Sequence, residues 1–339
     1  MKLLERPLTI RMSPHIGAVA SVDAIMFNVV LALTPVVGYA IYLFGIAAIL
    51  VIATATFSCV LSEHLLCKAS GKATTIGDGS AVITGLLFGL TLPPSLPLWM
   101  AAVGGVICIA IGKYIFGGLG FNPFNPALVG RAIMQATFPA PMTTFFPLSE
   151  DRFHSIPTST FAFPFTKPLY DGLSGATPLA DWKFNQTSTA ASGLLWGNVP
   201  GSTGETCAVL IILGGAYLVA RGMMSWRIPV SIFASVAVFS GVLHLIDPDR
   251  FAGPLFMLLS GGLVLGAVFM ATDMVSAPIT PRARIAFGIL IGVLTVTIRV
   301  WGGASEGVMY AILIGNALSP HLDGWLQPRL FGRVRESST

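Results

Sequence analysis

Two short strings in this sequence carry residue types capable of chemistry. The first is Asp171-Gly-Leu-Ser-Gly-Ala-Thr-Pro-Leu179, whose reactive atom is the hydroxyl of Thr177. A threonine hydroxyl is a weak nucleophile until a base activates it, so what the string itself must supply is access. Gly175 and Ala176 leave the backbone unobstructed on one side, Pro178 stiffens it on the other, and a loop position is expected to expose the hydroxyl. Ser-Gly or Gly-Ala-Thr alone is one more turn in a polar loop. The full spacing D-x-x-S-G-A-T is more specific: at average residue frequencies about one chain in a thousand of this length would match it by chance.

The second string is Gly118-Leu-Gly-Phe-Asn-Pro-Phe-Asn-Pro-Ala-Leu-Val-Gly-Arg-Ala132. Two readings stand side by side. In one, Asn125 caps a helix whose first residue is Pro126. In the other, Asn122 and Asn125 offer amide donors and acceptors to a planar heterocycle, while Arg131 faces the bundle or a phosphate-like group. Asp78 and Asp273 admit a similar pair of readings, as caps of half-helices or as groups lining an ion path, and capping is preferred. His64 and His244 read as ordinary interfacial histidines. The cysteines Cys59, Cys67, Cys108 and Cys207 show no C-x-x-C spacing, and three lie in apolar runs as small core hydrophobes. No metal site and no catalytic residue is assigned.

The elements that must position these residues are membrane elements. Of the 339 residues 54% are hydrophobic and 10% charged, against roughly 25% charged in an average soluble domain. The net charge of +4 comes from basic residues scattered singly between apolar runs, which excludes a nucleic-acid surface. The lipid bilayer is the expected partner. The first apolar run follows Lys2, Arg6 and Arg11 but has no small-x-small cleavage site after it, so it is read as a retained helix.

Apolar runs between charges and Pro/Gly clusters predict about ten transmembrane helices, near 24–44, 46–66, 80–92, 98–117, 126–139, 206–221, 227–246, 256–272, 284–301 and 307–319. With the N-terminus inside, only Arg152, Lys167, Lys183, Arg250 and Arg299 of the 19 Lys and Arg fall outside, so both termini are expected to be cytoplasmic. The long segment Ala140–Gly204, rich in Ser, Thr, Pro, Gly and Phe, then lies on the periplasmic face of a bacterial inner membrane. The predicted organisation is a five-helix unit over 1–139, the loop over 140–204, and a second five-helix unit over 205–339. Because five segments precede the loop, the two units are expected to be inverted repeats. Gly85, Phe88, Thr91 and Ser95 match Gly266, Phe269, Thr272 and Ser276 at one fixed offset. Both stretches are short third segments ending in a polar or Pro-broken turn, and broken helices at corresponding places point to a site near mid-membrane. The fold class is therefore all-α and polytopic, with short or broken helices in each half.

D-x-x-S-G-A-T resembles the flavinylation motif of one family of membrane subunits: the B subunit of the sodium-pumping NADH:quinone reductase and the D subunit of the Rnf complex. N-P-A-x-x-G-R-A is similar to the same family, as are Ser13-Pro-His15, Asp78-Gly-Ser80 and Ala271-Thr-Asp-Met-Val-Ser-Ala277, so the resemblance spans nearly the whole chain. It implies FMN esterified through its phosphate to Thr177 by a separate flavin transferase. Asp171 and Ser174 would serve recognition by that transferase or the turn itself. It further implies a second, non-covalent flavin, riboflavin, in the membrane part, carried over to Asn122 and Asn125. Only about 23 residues precede the first helix, which favours the Rnf D type over the reductase B type. The implied role is an electron-transfer subunit of an ion-translocating ferredoxin:NAD oxidoreductase, working with other membrane and peripheral subunits and catalysing nothing alone. Whether Na⁺ or H⁺ is moved stays open. The rival from another class is an inverted-repeat solute channel or transporter, favoured by architecture alone.

Overall fold

A computed structural model describes residues 21–72, 74–146, 153, 156–164, 175–187, 189–205, 207–303 and 305–328. Ser13, His15, Asp171 and Ser174 lie outside the described residues. The helices are α1 (Val22–Phe44), α2 (Ile46–Ala69), α3 (Ser80–Leu90), α4 (Leu98–Ile109, continued by a π-helical turn Ala110–Tyr114), α5 (Pro126–Thr137) and α6 (Pro139–Thr143). They continue with α7 (Pro178–Ala180, followed by a π-helical turn Asp181–Asn185), α8 (Ala191–Trp196), α9 (Ala208–Ala220), α10 (Arg227–Ile246), α11 (Pro254–Leu259), α12 (Leu263–Leu265, continued by a π-helical turn Gly266–Met270), α13 (Pro281–Trp301) and α14 (Val308–Trp325). Each of the ten predicted apolar runs contains helix. Four helices, α1, α2, α10 and α13, are long and apolar enough to cross a membrane by themselves; α3, α4 with its π-helical turn, and α9 are shorter apolar helices.

This is an integral membrane protein, and its exposed faces say so. Phe27 on α1, Phe57 on α2, Val238 and Leu245 on α10, and Ile289 on α13 all point outward. In water such a belt would be an aggregation liability, whereas in lipid it is the solvated surface. The buried faces use small residues to bring helices close. Gly105 of α4 leaves no room for a side chain against Ser58 of α2, and Ser58 Oγ donates to Ala102 O at 2.5 Å. In the second half, Gly288 and Gly292 of α13 meet Ser231 and Ser235 of α10 in the same way. Small-residue contacts of this kind replace the hydrophobic drive that lipid cannot supply between helices.

The short third segments end inside the protein, and their carbonyls are satisfied by other elements. Beyond α3, Thr91–Pro97 is buried. Backbone N–H of Thr203 donates to Leu92 O at 3.0 Å, Gly204 N–H to Leu90 O at 2.5 Å, and Thr203 Oγ1 to Gly89 O at 2.7 Å. A Cβ at Gly204 would stand 2.6 Å from Leu90 O, so glycine is required there. In the second half the chain breaks between α11 and α12 at Gly261, with φ +64°, and Arg299 Nη1 and Nη2 donate to Met257 O at 2.6 Å and Ser260 O at 2.8 Å. Irregular backbone at membrane depth is thus buried in protein and partnered at these points.

Two of the basic residues that the charge count assigns to a side of the membrane are buried in the protein. Lys113 and Arg299 are each 3% exposed, in the π-helical turn after α4 and in α13. Their side chains balance internal groups and do not face a membrane surface, because each has buried partners to neutralise or cap.

A candidate flavin-attachment cavity and a second cavity

Thr177 is held by local and distant contacts. It is the N-cap of α7, in extended conformation, and its Oγ1 accepts from Ala180 N–H at 3.3 Å, with Pro178 at the first helical position. Upstream, Gly175 N–H donates to Phe145 O at 2.8 Å in an isolated antiparallel bridge. Downstream, Leu179 is buried against the α11–α12 break, where a Cβ on Gly261 would lie 2.7 Å from Leu179 Cδ1. Trp182 packs on Phe256, and Lys183 Nζ donates to the carbonyls of Arg299 and Gly302. The segment after the motif is therefore docked on the second half.

The expectation of an exposed hydroxyl is not met. Thr177 is 3% exposed. It instead lines a cavity of 440 Å³ with Arg131, Gln135, Phe145, Phe184, Ser305 and Glu306. Pairing at Phe145 on one side and packing of Leu179 on the other pull the residue off the surface, which the polarity of the string does not reveal. The cavity has the size class of a small-molecule site, roughly 300–1,000 Å³. Its lining combines a hydroxyl, a guanidinium, an amide and aromatic faces, a donor set that fits a phosphate ester and a flat ring.

Arg131 faces this cavity and not the two asparagines that precede it. Its Nη2 donates to Glu306 Oε2 at 2.9 Å across 175 residues of sequence. Glu306 and Glu205 also line one small cavity together. Burial raises the Glu205 carboxyl well above the usual carboxylate range, and the neighbouring Glu306 adds to the effect. Burial also works to raise Glu306, but its hydrogen bond with Glu205 and the Arg131 and Arg299 guanidiniums prevail and hold it below that range.

Asn122 and Asn125 lie at another cavity, of 90 Å³, lined also by Ser80, Lys113, Phe269, Thr272 and Asp273. Asn125 realises the capping reading: Oδ1 accepts from Ala127 N–H at 3.0 Å, and Pro126 opens α5. Its Nδ2 does more, donating to Met270 O at 3.2 Å in the π-helical turn of the second half. Asn122 Nδ2 donates to Phe124 O at 3.1 Å, while its buried Oδ1 has no partner among the described residues. A buried acceptor left open on a cavity wall fits a ligand N–H. Lys113 Nζ is held by both Glu63 oxygens at 2.8 and 2.9 Å and by Ser80 Oγ at 2.6 Å. Asp78 takes the preferred role at the start of α3, its Oδ1 accepting from Ser80 N–H at 2.8 Å, whereas Asp273 accepts from Ser276 Oγ at 2.9 Å within a turn that opens no helix, so the capping reading is not realised there. His244 Nδ1 meets Phe251 O at 2.7 Å, and all four cysteines are buried.

Known proteins are similar to this chain along nearly its whole length. The model of the NQR2, RnfD, RnfE family matches residues 9–332. The chain belongs to this family. Its relatives include the D subunit of the proton-translocating ferredoxin:NAD(+) oxidoreductase complex of Clostridium ljungdahlii, 41% identical over 96% of this chain and 97% of the relative. The D subunit of the Na(+)-translocating ferredoxin:NAD(+) oxidoreductase complex of Acetobacterium woodii is 39% identical over 97% of this chain and 96% of the relative. The D subunit of the ion-translocating oxidoreductase complex of Alcanivorax borkumensis is 38% identical over 94% of this chain and 95% of the relative.

Glu63, Lys113, Glu205, Arg299 and Glu306 belong to none of the motifs, yet the fold gathers them at or beside the two cavities. A signal exists for three of them: Glu63, Lys113 and Arg299 are ionisable residues inside predicted apolar segments, a costly placement that marks function or pairing. Glu205 and Glu306 sit at segment edges, where a carboxylate is commonplace until its neighbours are known.

Proposed function

We propose that this chain is the D subunit of an ion-translocating ferredoxin:NAD oxidoreductase complex, with FMN esterified to Thr177 in the 440 Å³ cavity. The observation that carries the reading is the Thr177 hydroxyl lining a cavity walled by Arg131, in a member of the NQR2, RnfD, RnfE family. When bound, FMN supplies one-electron chemistry that no side chain here can. The chain's own residues bind and orient. Arg131 stands ready to neutralise the phosphate, Phe145 and Phe184 offer flat apolar contacts, and Gln135 and Ser305 offer hydrogen bonds to polar ring edges. Attachment is expected to require a flavin transferase and an open form of the segment before Pro178, since Thr177 is buried as it stands.

A second flavin is proposed for the cavity at Asn122 and Asn125. The open Asn122 Oδ1 supports it, with Lys113 and Thr272 as further polar walls. Riboflavin, without a phosphate, makes the smaller demand on this cavity of 90 Å³, whose walls would have to part to take the ring. The proposed setting is the bacterial inner membrane, with ten segments in two inverted halves and 140–204 periplasmic. The like packing of α2 on α4 and of α10 on α13, each with serine against glycine, supports that symmetry. Similar identity to relatives named for H⁺ and for Na⁺ leaves the transported ion to experiment. The transporter alternative rests on architecture, and near-full-length similarity to subunits of redox complexes removes that support.

Co-expression with a flavin transferase followed by a denaturing gel should show a fluorescent band, lost in Thr177→Val. A dark wild-type band, or fluorescence that persists in the variant, sinks the assignment. A reporter fused within 140–204 that reads as cytoplasmic would overturn the orientation.

A further inference from the structure

Arg131 and Glu306 form a wall shared by two cavities. On one side is the Thr177 cavity; on the other is a smaller one of 40 Å³, lined by Thr91, Ser202, Glu205, Gly262 and Gly266. This inner cavity sits where the end of α3 and the α11–α12 break approach each other, so it joins the two halves. Glu205 enters it from the loop that caps the carbonyls of α3, and Glu306 from the turn before α14.

We propose that Glu205 and Glu306 together form a proton-binding site, a carboxylic acid hydrogen-bonded to a carboxylate, whose proton is held more tightly when negative charge enters the Thr177 cavity. The coupling to that cavity rests on the proposed flavin attachment; the proton site does not.

Unsatisfied atoms point to the site. Glu306 Oε2 is occupied by Arg131, but its buried Oε1 has no partner among the described residues. Glu205 Oε1 accepts from Ser202 Oγ at 2.7 Å, and both carboxyl groups line the same 40 Å³ cavity. Two partly buried carboxylates facing one small cavity repel, and one proton between them would convert repulsion into a hydrogen bond that satisfies the open oxygen. The facing charges are Arg131 from α5 and Arg299 from α13, with Lys183 beyond them on the carbonyls of Arg299 and Gly302. With both acids ionised, the two guanidiniums and two carboxylates sum to zero; one bound proton leaves a single positive charge beside the cavity of Thr177. Glu306 faces the Arg131 guanidinium through Oε2 while Glu205 has only the neutral Ser202 hydroxyl, so the proton belongs on Glu205.

The inner cavity favours a proton over a metal cation. Its 40 Å³ is about the room of one water, roughly 30 Å³ in the liquid. A hard cation needs a shell of oxygens, whereas here the Ser202 hydroxyl points its proton at Glu205 and two guanidiniums already balance the acids. In operation, one electron delivered by a reduced carrier of the complex, which is thereby oxidised, adds one negative charge to the Thr177 cavity. One proton taken from water onto the pair compensates it, and both leave on reoxidation.

The test has two arms, both on the assembled complex. Infrared spectra at neutral pH should show a protonated-carboxyl C=O band that shifts in D₂O, vanishes in Glu205→Gln and moves in frequency in Glu306→Gln. This arm is also run on Thr177→Val protein, where it stands without any flavin. A band unchanged in Glu205→Gln overturns the site, and a band that disappears on adding NaCl at fixed pH overturns the proton in favour of a cation. In the second arm the midpoint potential of the covalent flavin is followed against pH. Wild type should be steeper than Glu205→Gln by up to about 59 mV per tenfold change in proton activity for a one-electron couple. Equal slopes overturn the coupling while leaving the site, and the absence of any covalent flavin signal refutes the attachment and the coupling with it.

Discussion

The Thr177 cavity and the Asn122 cavity are served by the same helix yet built differently. At the N-terminus of α5, Asn125 contributes to the smaller cavity; about 9 Å further along the helix, at 1.5 Å rise per residue, Arg131 contributes to the larger. Around Asn122 the wall is mostly apolar side chains, with amides, hydroxyls and the Asp273 carboxyl, and its Lys113 is paired with Glu63. Around Thr177 the wall carries Arg131 and Glu306, and behind it Glu205 and Arg299 extend the same network to two acids and two guanidiniums. A site of the first kind can hold a neutral ring by shape and hydrogen bonds. A site of the second kind suits a ligand bearing phosphate and a changing charge.

Variants at six positions separate the two regions. The largest effect is expected for Glu63→Gln, which leaves Lys113 buried without its counter-ion and should cost about 3–5 kcal/mol. Thermal unfolding in detergent would show it, and Glu63→Leu with Lys113→Met together should recover most of the loss. Covalent flavin at Thr177 should persist in whatever fraction stays folded; its selective loss would show that the two cavities are not independent. Next is Gly204→Ala, whose Cβ would press on Leu90 O. A cost of about 1–3 kcal/mol is expected, measured the same way, with the Thr177 side perturbed first because Glu205 follows directly.

Asn125→Ala removes a helix cap and should cost about 1 kcal/mol, together with the tie to Met270. Asn122→Ala should leave stability nearly unchanged while lowering the non-covalent flavin extracted from purified protein; unchanged flavin content would remove the second site from Asn122. The smallest effect near neutrality concerns pH. Glu205 is raised in the folded state, so the folded protein binds that proton more tightly than the unfolded chain. Its stabilising contribution is full below the ordinary carboxylate range and is lost as pH rises through the raised value. Glu205→Gln should flatten this fall in a pH series of unfolding temperatures, and an unflattened curve would show that Glu205 is ionised throughout.

Local sequence signals are enough for a good part of this. Apolar run length separates membrane helix from loop, because backbone in hydrocarbon must bond within its own segment. Asn-Pro at 125–126 and Thr-Pro at 177–178 both cap helices, since capping is a contact across three residues. Asp78 holds the start of α3 for the same reason, while Asp273 bonds Ser276 in a turn and caps no helix. Thr177 stands out by motif alone, and the family match over 9–332 agrees with the resemblance that the motif suggests.

Only tertiary structure decided what surrounds those residues. Burial of Thr177 depends on Phe145 and on the α11–α12 break at Gly261, and the partner of Arg131 lies 175 positions away. The loop at 203–204 caps a helix more than a hundred residues earlier, and Arg299 caps a break some forty residues before it. Periodicity and caps report on neighbours within a turn or two. Which carboxylate meets which guanidinium is set by helices crossing at small residues, and that meeting turned an accessible-looking hydroxyl into one wall of a charged internal cavity.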